Sequence, residues 1–81
     1  MDMKYVIILL LSTTGLEQIK YPLKKSFLEK YPKEYSALAC GDQAEEWRVN
    51  NTTYYDHKNN DAKQQGNYTK EGKLLVGHLC E

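Results

Sequence analysis

Four side chains in the sequence could bind a soft metal ion or act in nucleophilic catalysis: Cys40, His57, His78 and Cys80. Cysteine thiolates and histidine imidazoles are zinc ligands, and a thiol beside a histidine can become a nucleophile. His78 and Cys80 are two positions apart and would share one face of a strand, but Cys40 and His57 have no Cys or His close by. We therefore predict no metal site, no catalytic residue and no cofactor, and the sequence favours a non-enzymatic protein over an enzyme.

The two cysteines lie half a chain apart, and their redox state is open. In an oxidising compartment Cys40 and Cys80 would close a loop of about 40 residues, which would contribute roughly 3 to 4 kcal/mol to stability. Inside a cell both would be free thiols. The sequence therefore predicts a disulfide only if the protein is exported.

Lys20, Lys24 and Lys25 form the start of a basic stretch and are candidate anion-binding residues. They are interleaved with tyrosine, as in helices that contact phosphate, but no arginine is present there to contact bases. The solvated face of an amphipathic helix explains the same pattern, and acidic residues just downstream can pair with the lysines. Nucleic-acid binding is therefore only weakly supported.

Ser12, Thr13, Thr14 and Gly15 follow an apolar run and precede a predicted helix, an order typical of loops that hold phosphate at a helix N-terminus. Phosphate loops of the nucleotide-binding kinds need two or three spaced glycines, and only one is present here. A small phosphate-ligand-binding or catalytic unit that uses this turn is one alternative function. An ordinary connection between two elements is the simpler explanation.

Trp47, Tyr54, Tyr55 and Tyr68 are the candidate partner-binding residues. They fall in segments that we predict to be hairpins, where some of the rings must face solvent, and exposed Trp and Tyr are typical of interface hot spots. The rings could also simply cover a thin core, because tyrosine shields apolar surface while its hydroxyl stays near water. The sequence favours an inhibitor- or adaptor-type interaction protein that docks on a larger protein through this aromatic surface.

Residues 5–11 are a run of seven apolar side chains, and we expect the rest of the chain to be organised around them. The run is too short for a membrane span, which needs about 20 apolar residues. It fits a β-strand buried on both faces, and it also fits the apolar core of a short export signal. We favour the strand and an intracellular protein. The alternative is a secreted or envelope protein with residues 1–15 removed and a Cys40–Cys80 disulfide.

The middle of the chain predicts a bent helical segment. An amphipathic helix over residues 22–31 ends at Pro32, and a shorter helix over residues 33–40 ends at Gly41 as its C-cap. Residues 47–55 are then expected to form a hairpin that turns at Asn50 and Asn51.

The remainder of the chain predicts a solvated loop over residues 57–67 and a closing hairpin of residues 68–70 and 73–80 around Glu71 and Gly72. The last strand carries apolar groups on both faces, so we expect it near the sheet centre, beside the first strand.

The length and charge of the chain limit the number of domains and the kinds of partner that can be expected. Eighty-one residues suffice for one small domain, and eleven basic side chains balance eleven acidic ones, so no net field attracts nucleic acid or an anionic membrane. We predict a single α+β domain over residues 1–81 with a mostly antiparallel sheet and a bent helical segment.

Overall fold

A computed structural model describes residues 2–56 and 65–81, which form an α+β fold with one five-stranded antiparallel sheet. The predicted fold class is confirmed. The strands, in spatial order β2-β1-β5-β4-β3, are β1 (Tyr5–Ser12), β2 (Gly15–Pro22), β3 (Thr53–Tyr55), β4 (Gly66–Tyr68) and β5 (Leu74–Cys80). The helices are α1 (Lys25–Leu28) and α2 (Ser36–Asn51), and a single 3₁₀ turn (Lys33–Tyr35) leads into α2.

The apolar run forms β1, which lies inside the sheet between β2 and β5, as the strand interpretation predicts. Side chains alternate across a strand, so Val6, Ile8 and Leu10 share one face. All three are buried and pack in the main core cluster with Cys40 and Ala44 of α2. Removing this run as an export signal would take an interior strand and three residues of the core cluster out of the fold.

β2 was not predicted. It pairs with β1 along its whole length, from Ser12 opposite Gly15 to Tyr5 opposite Pro22, and the backbone N–H of Leu23 still bonds the carbonyl of Lys4 at 2.9 Å. The prediction of a helix from residue 22 is wrong because this pairing holds the chain extended to Pro22. Only residues 25–28 remain for α1.

α2 runs through Gly41, so the prediction that the helix ends there is wrong. Its sheet-facing side is a stripe at helical spacing, with the most buried positions at Ser36, Ala39, Cys40, Gln43 and Ala44. Small side chains dominate this stripe, which lets the helix lie close to the sheet. A glycine inside a helix weakens it but does not stop it when tertiary packing holds the flanking turns.

The predicted hairpin over residues 47–55 is also wrong in its first arm. Trp47 and the following residues form the last turns of α2, which ends where the Thr52 backbone N–H and hydroxyl both bond the Arg48 carbonyl, at 3.0 and 2.6 Å. The second arm is a strand, β3, but it pairs with β4. Most of the predicted loop, residues 57–64, lies outside the described residues, and Gly66 and Asn67 belong to β4.

The closing hairpin is confirmed, with β4 followed by a turn at residues 70–71 and then β5. β5 lies beside β1, as expected, with a β-bulge where the register shifts between Leu9 and Leu10. Gly77, opposite Leu9, has an extended backbone. Among the described residues, no helix has both the length and the apolar character needed to cross a membrane.

A disulfide joins α2 to β5 through Cys40 and Cys80, whose Cα atoms are 6.1 Å apart. Cys40 is completely buried in the core cluster, and Cys80 packs against it. The covalent bond therefore fixes the helix to the sheet at a point where the side chains of α2 are small.

Candidate functional site: an aromatic groove

A cavity of about 570 Å³ opens between the C-terminal end of α2, the β3–β4 pair and the turn that precedes β5. We call it the aromatic groove, because Trp47, Tyr54, Tyr55 and Tyr68 all line it. Its other described lining residues are Leu10, Ile19, Asn50, Asn51, Thr52, Thr53, Thr69, Lys70, Glu71 and Lys73. The volume lies within the range of about 300 to 1,000 Å³ that is usual for ligand sites.

The apolar part of the groove comes from the sheet and from α2. Leu10 is buried, whereas Ile19 and Trp47 are half-buried and pack against the core cluster. The indole Nε1 of Trp47 donates to the hydroxyl oxygen of Tyr21 at 3.0 Å, which fixes the orientation of the ring. Trp47 therefore covers the core and lines the groove at the same time.

The tyrosines come from the β3–β4 pair. The rings of Tyr55 and Tyr68 meet edge to face, with centroids 6.2 Å apart and planes at 88°, an arrangement that aromatic pairs favour. The two residues are diagonal neighbours, since Thr53 is opposite Tyr68 and Tyr55 is opposite Gly66. Tyr54 is 53% exposed and accepts a hydrogen bond from Gln65.

The end of α2 supplies a polar rim. Asn51 donates from Nδ2 to the carbonyl oxygen of Trp47 at 2.9 Å, so its side chain bonds back to the last turn of the helix. Asn50 lies beside it and is exposed. Arg48, one turn earlier, forms an ion pair with Glu45, which raises the pKa of the guanidinium and lowers the pKa of the carboxyl group through their hydrogen bond.

Lys73, which lines the groove, forms an ion pair across the sheet. Lys73 Nζ lies 2.8 Å from Glu17 Oε1 of β2, and both side chains are partly buried. The hydrogen bond from Lys73 lowers the pKa of Glu17, and the same bond raises the pKa of Lys73. The turn before Lys73 is held by Thr69, whose hydroxyl accepts from the Lys73 backbone N–H at 3.1 Å.

The four predicted partner-binding residues therefore line one cavity, although the predicted hairpin over residues 47–55 is not formed, since Trp47 lies on α2 and Tyr54 and Tyr55 lie on β3. Leu10, Ile19 and the turn at residues 69–73 were missed as lining residues. The pairing of β1 with β2 and β5 places Leu10 and Ile19 in the same sheet as the tyrosines, and no local pattern in the sequence carries that information.

The three candidate anion-binding lysines each face a carboxylate. The ion pairs are Lys20 with Glu81, Lys24 with Glu46, and Lys25 with Glu29. The hydrogen bond that Lys20 donates to the Glu81 carboxylate raises the pKa of Lys20. An incoming anion would have to compete with these carboxylates, and anion binding at the three lysines stays a prediction.

The turn formed by Ser12, Thr13, Thr14 and Gly15 joins two strands rather than a strand and a helix. Ser12 Oγ donates to the Gly15 carbonyl at 3.1 Å and accepts from the Thr14 backbone N–H at 3.2 Å. The phosphate-binding alternative therefore has no helix N-terminus at this turn on which to rest.

The structure also groups three of the four potential metal ligands. The ligand atoms of Cys40, His78 and Cys80 lie within 4.8 Å of one another, although the spacing along the chain argued against a site. His57 lies outside the described residues. The two sulfur atoms are bonded to each other in this state, so they are not available as thiolates.

No family model matches this chain, and neither a curated protein nor a solved structure matches it. Function must therefore be argued from the groove itself.

Proposed function

We propose that the protein is a non-enzymatic interaction protein that docks on a larger protein through the aromatic groove, in the manner of an inhibitor or adaptor. The observation that supports this most is that Trp47, Tyr54, Tyr55 and Tyr68 line a single cavity. Trp and Tyr are enriched among residues that dominate binding energy, and such residues cluster in pockets.

The shape and chemistry of the groove suit recognition of an anchoring side chain. Its apolar part is formed by residues that the core already holds in place, so little order has to be imposed on binding. Around it are hydroxyl, amide and charged groups that can pair with polar atoms at the edge of an interface. We therefore expect a partner segment whose aromatic or large aliphatic side chain enters between Trp47 and the tyrosines.

Charge should matter little for the encounter. The eleven acidic and eleven basic side chains cancel, so long-range steering is weak and association should depend little on salt. Contact area and fit in the groove would then provide most of the affinity.

The experiment compares two tyrosines of almost equal exposure. Tyr54 is 53% exposed and lines the groove, whereas Tyr35 is 55% exposed and lies before α2, outside the groove lining. Native protein, Tyr54→Ala and Tyr35→Ala are each immobilised and used to capture partners from an extract of the source cells. A captured protein is then titrated against all three in purified form.

We expect Tyr35→Ala to bind like the native protein and Tyr54→Ala to bind at least about tenfold more weakly. A tenfold loss of affinity corresponds to about 1.4 kcal/mol of binding free energy, which is typical of a hot-spot residue. Equal binding by all three proteins, or a loss confined to Tyr35→Ala, would contradict docking through the groove. Thermal unfolding of each variant verifies that the fold is intact.

A second candidate is the export alternative, which the Cys40–Cys80 disulfide supports because disulfides persist mainly in oxidising compartments. The removal of residues 1–15 that this alternative includes would take β1, an interior strand, out of the sheet. Intact mass of the protein purified without reductant separates the two accounts. A retained first strand together with loss of both thiol hydrogens would favour an oxidised protein that keeps β1, and free thiols would favour the intracellular account.

A further inference from the structure

A second group of chemically active side chains lies at the junction of α2 and β5, away from the aromatic groove. Cys40 is on the buried face of α2, and His78 and Cys80 are two residues apart on β5. In the register of the sheet, Cys80 is opposite Val6 and His78 is opposite Ile8. Both therefore lie on the face of the sheet that α2 covers.

The arrangement brings two sulfur atoms and one imidazole nitrogen within 4.8 Å of one another. Cys40 is completely buried and Cys80 is half-buried, whereas His78 is exposed. With the disulfide formed, the two cysteine Cα atoms are 6.1 Å apart. Three ligand atoms are thus positioned by the same packing that builds the core.

We propose that, when the disulfide is reduced, Cys40, Cys80 and His78 bind a zinc ion. A dithiol is oxidised to its disulfide, or a phosphine with water to its oxide; this supplies two electrons and two protons, and the S–S bond breaks to give two thiols. Zinc binding then displaces one proton from each thiol and forms two Zn–S bonds and one bond to a ring nitrogen of His78. The disulfide and the metal site are therefore alternative states of the same residues.

Zinc fits these ligands better than the other common divalent ions. It prefers sulfur and nitrogen donors in a tetrahedron, with Zn–S bonds of about 2.3 Å and Zn–N bonds of about 2.0 Å. Tetrahedral geometry puts two such sulfur atoms about 3.8 Å apart, which small rotations of the cysteine side chains can reach. Calcium and magnesium prefer oxygen ligands and do not suit this site.

The fourth position would be open. A cavity of about 260 Å³ lies between α2 and β5, and its lining includes His78, Gly41 and Gly77. Glu45 also lines it, but its carboxylate already pairs with Arg48. Water from this cavity can complete the tetrahedron, as in zinc sites with three protein ligands.

The test uses the full chain, reduced with a phosphine under anaerobic conditions and titrated first with cobalt(II) as a spectroscopic probe and then with zinc. The variants are His78→Ala and, as the matched control, His57→Ala, which removes the other histidine of the sequence. Oxidised native protein is titrated in parallel. Circular dichroism before and after zinc addition monitors the fold.

We expect the reduced native protein and His57→Ala to show a thiolate-to-cobalt charge-transfer band that zinc abolishes. His78→Ala should bind at least about tenfold more weakly, and the oxidised protein should show no such band. If reduction unfolds the chain, refolding on addition of zinc supports the site, because metal binding and folding are then one event. The proposal is overturned by equal affinity of His78→Ala and native protein, by absence of the band, or by a reduced chain that stays unfolded at saturating zinc.

Discussion

Gln43 of α2 donates a hydrogen bond from Nε2 to the carbonyl oxygen of Pro22, the last residue of β2, over 3.1 Å. Its Oε1 atom accepts from the backbone N–H of Lys24 at 2.9 Å. The buried amide thus satisfies both backbone groups where the chain leaves the sheet and enters α1. In the described part of the chain, the N-cap residue Lys24 makes no side-chain capping bond of its own, and Gln43 of α2 instead accepts from the backbone N–H at this helix start.

Gln43→Leu should lower the free energy of unfolding by about 1 to 3 kcal/mol for each backbone group that it leaves unpaired in the interior. Urea unfolding followed by tryptophan fluorescence measures the change. The matched control is Gln18→Leu on β2, where the side chain is exposed and the change should stay within about 0.5 kcal/mol. Equal effects of the two substitutions would refute the bridging role of Gln43.

Gly41 lies inside α2, and a Cβ atom added there would meet no atom within 4 Å beyond its chain neighbours and the backbone of its own helix. Gly41→Ala should therefore raise the free energy of unfolding by about 0.5 to 1 kcal/mol, because alanine restricts the unfolded chain and favours helix. Gly72 is the contrasting position, since its φ of +84° is a backbone conformation that residues other than glycine rarely adopt.

Gly72→Ala should destabilise the protein by about 1 to 2 kcal/mol, the cost of a left-handed backbone for an L-residue. Thermal unfolding of both variants gives opposite shifts in Tm if α2 passes through Gly41 as described. A lower Tm for Gly41→Ala would instead indicate that the helix ends there.

Reduction of the Cys40–Cys80 disulfide should lower the free energy of unfolding by about 4 kcal/mol, the chain-entropy value for a loop of this length. Denaturant unfolding with and without a phosphine reductant, in the presence of a chelator, measures the difference. The double variant Cys40→Ala, Cys80→Ala should match the reduced protein and be insensitive to reductant. A sensitivity that persists in the double variant would show that the reductant acts elsewhere.

The Glu17–Lys73 ion pair predicts a pH dependence of stability. The pKa of Glu17 is lowered from 4.5 in the folded state by its bond to Lys73, with a smaller effect of Ser12, so the folded protein binds fewer protons than the unfolded chain in this range. The contribution is present above pH 4.5 and is lost as the pH falls through the folded pKa. Protonation of Glu17 thus weakens the folded state in acid.

Glu17→Gln should therefore reduce stability at neutral pH and flatten the acid branch of a plot of unfolding free energy against pH. Glu34→Gln, an exposed acid on the 3₁₀ turn, should leave the slope of that branch close to the native one. Parallel acid branches for native protein and Glu17→Gln would show that the ion pair does not contribute.

The sequence was sufficient to predict the first strand, β1, and the closing hairpin. The first is a continuous apolar run and the second is an apolar segment bounded by a turn, and both patterns are local. β2 was missed since Leu16, Ile19 and Tyr21 do not alternate evenly, and its pairing with β1 supplies what its own pattern lacks. Pairing between strands depends on tertiary context, so a pattern search over a few consecutive residues cannot predict it.

α2 was underestimated for a different reason. Its buried stripe is at helical spacing but consists of serine, alanine, cysteine and glutamine, so a search for large apolar side chains does not find it. Asn50 and Asn51 then suggested a hairpin turn, although they end the helix. A search for small residues at helical spacing would have extended α2 through Gly41 to Trp47.

The position of β1 also governs how the chain can fold. β1 joins β2 through a turn of two residues, but its other neighbour is β5, so that Val6 meets Cys80 across most of the described chain. The hairpin can form in microseconds, whereas the β1–β5 ladder requires closure of a very long loop and raises the contact order. Formation of the β1–β5 ladder should therefore limit the rate of refolding. An intact Cys40–Cys80 disulfide, which holds the end of β5 next to α2, should increase that rate by reducing the conformations that the chain must sample.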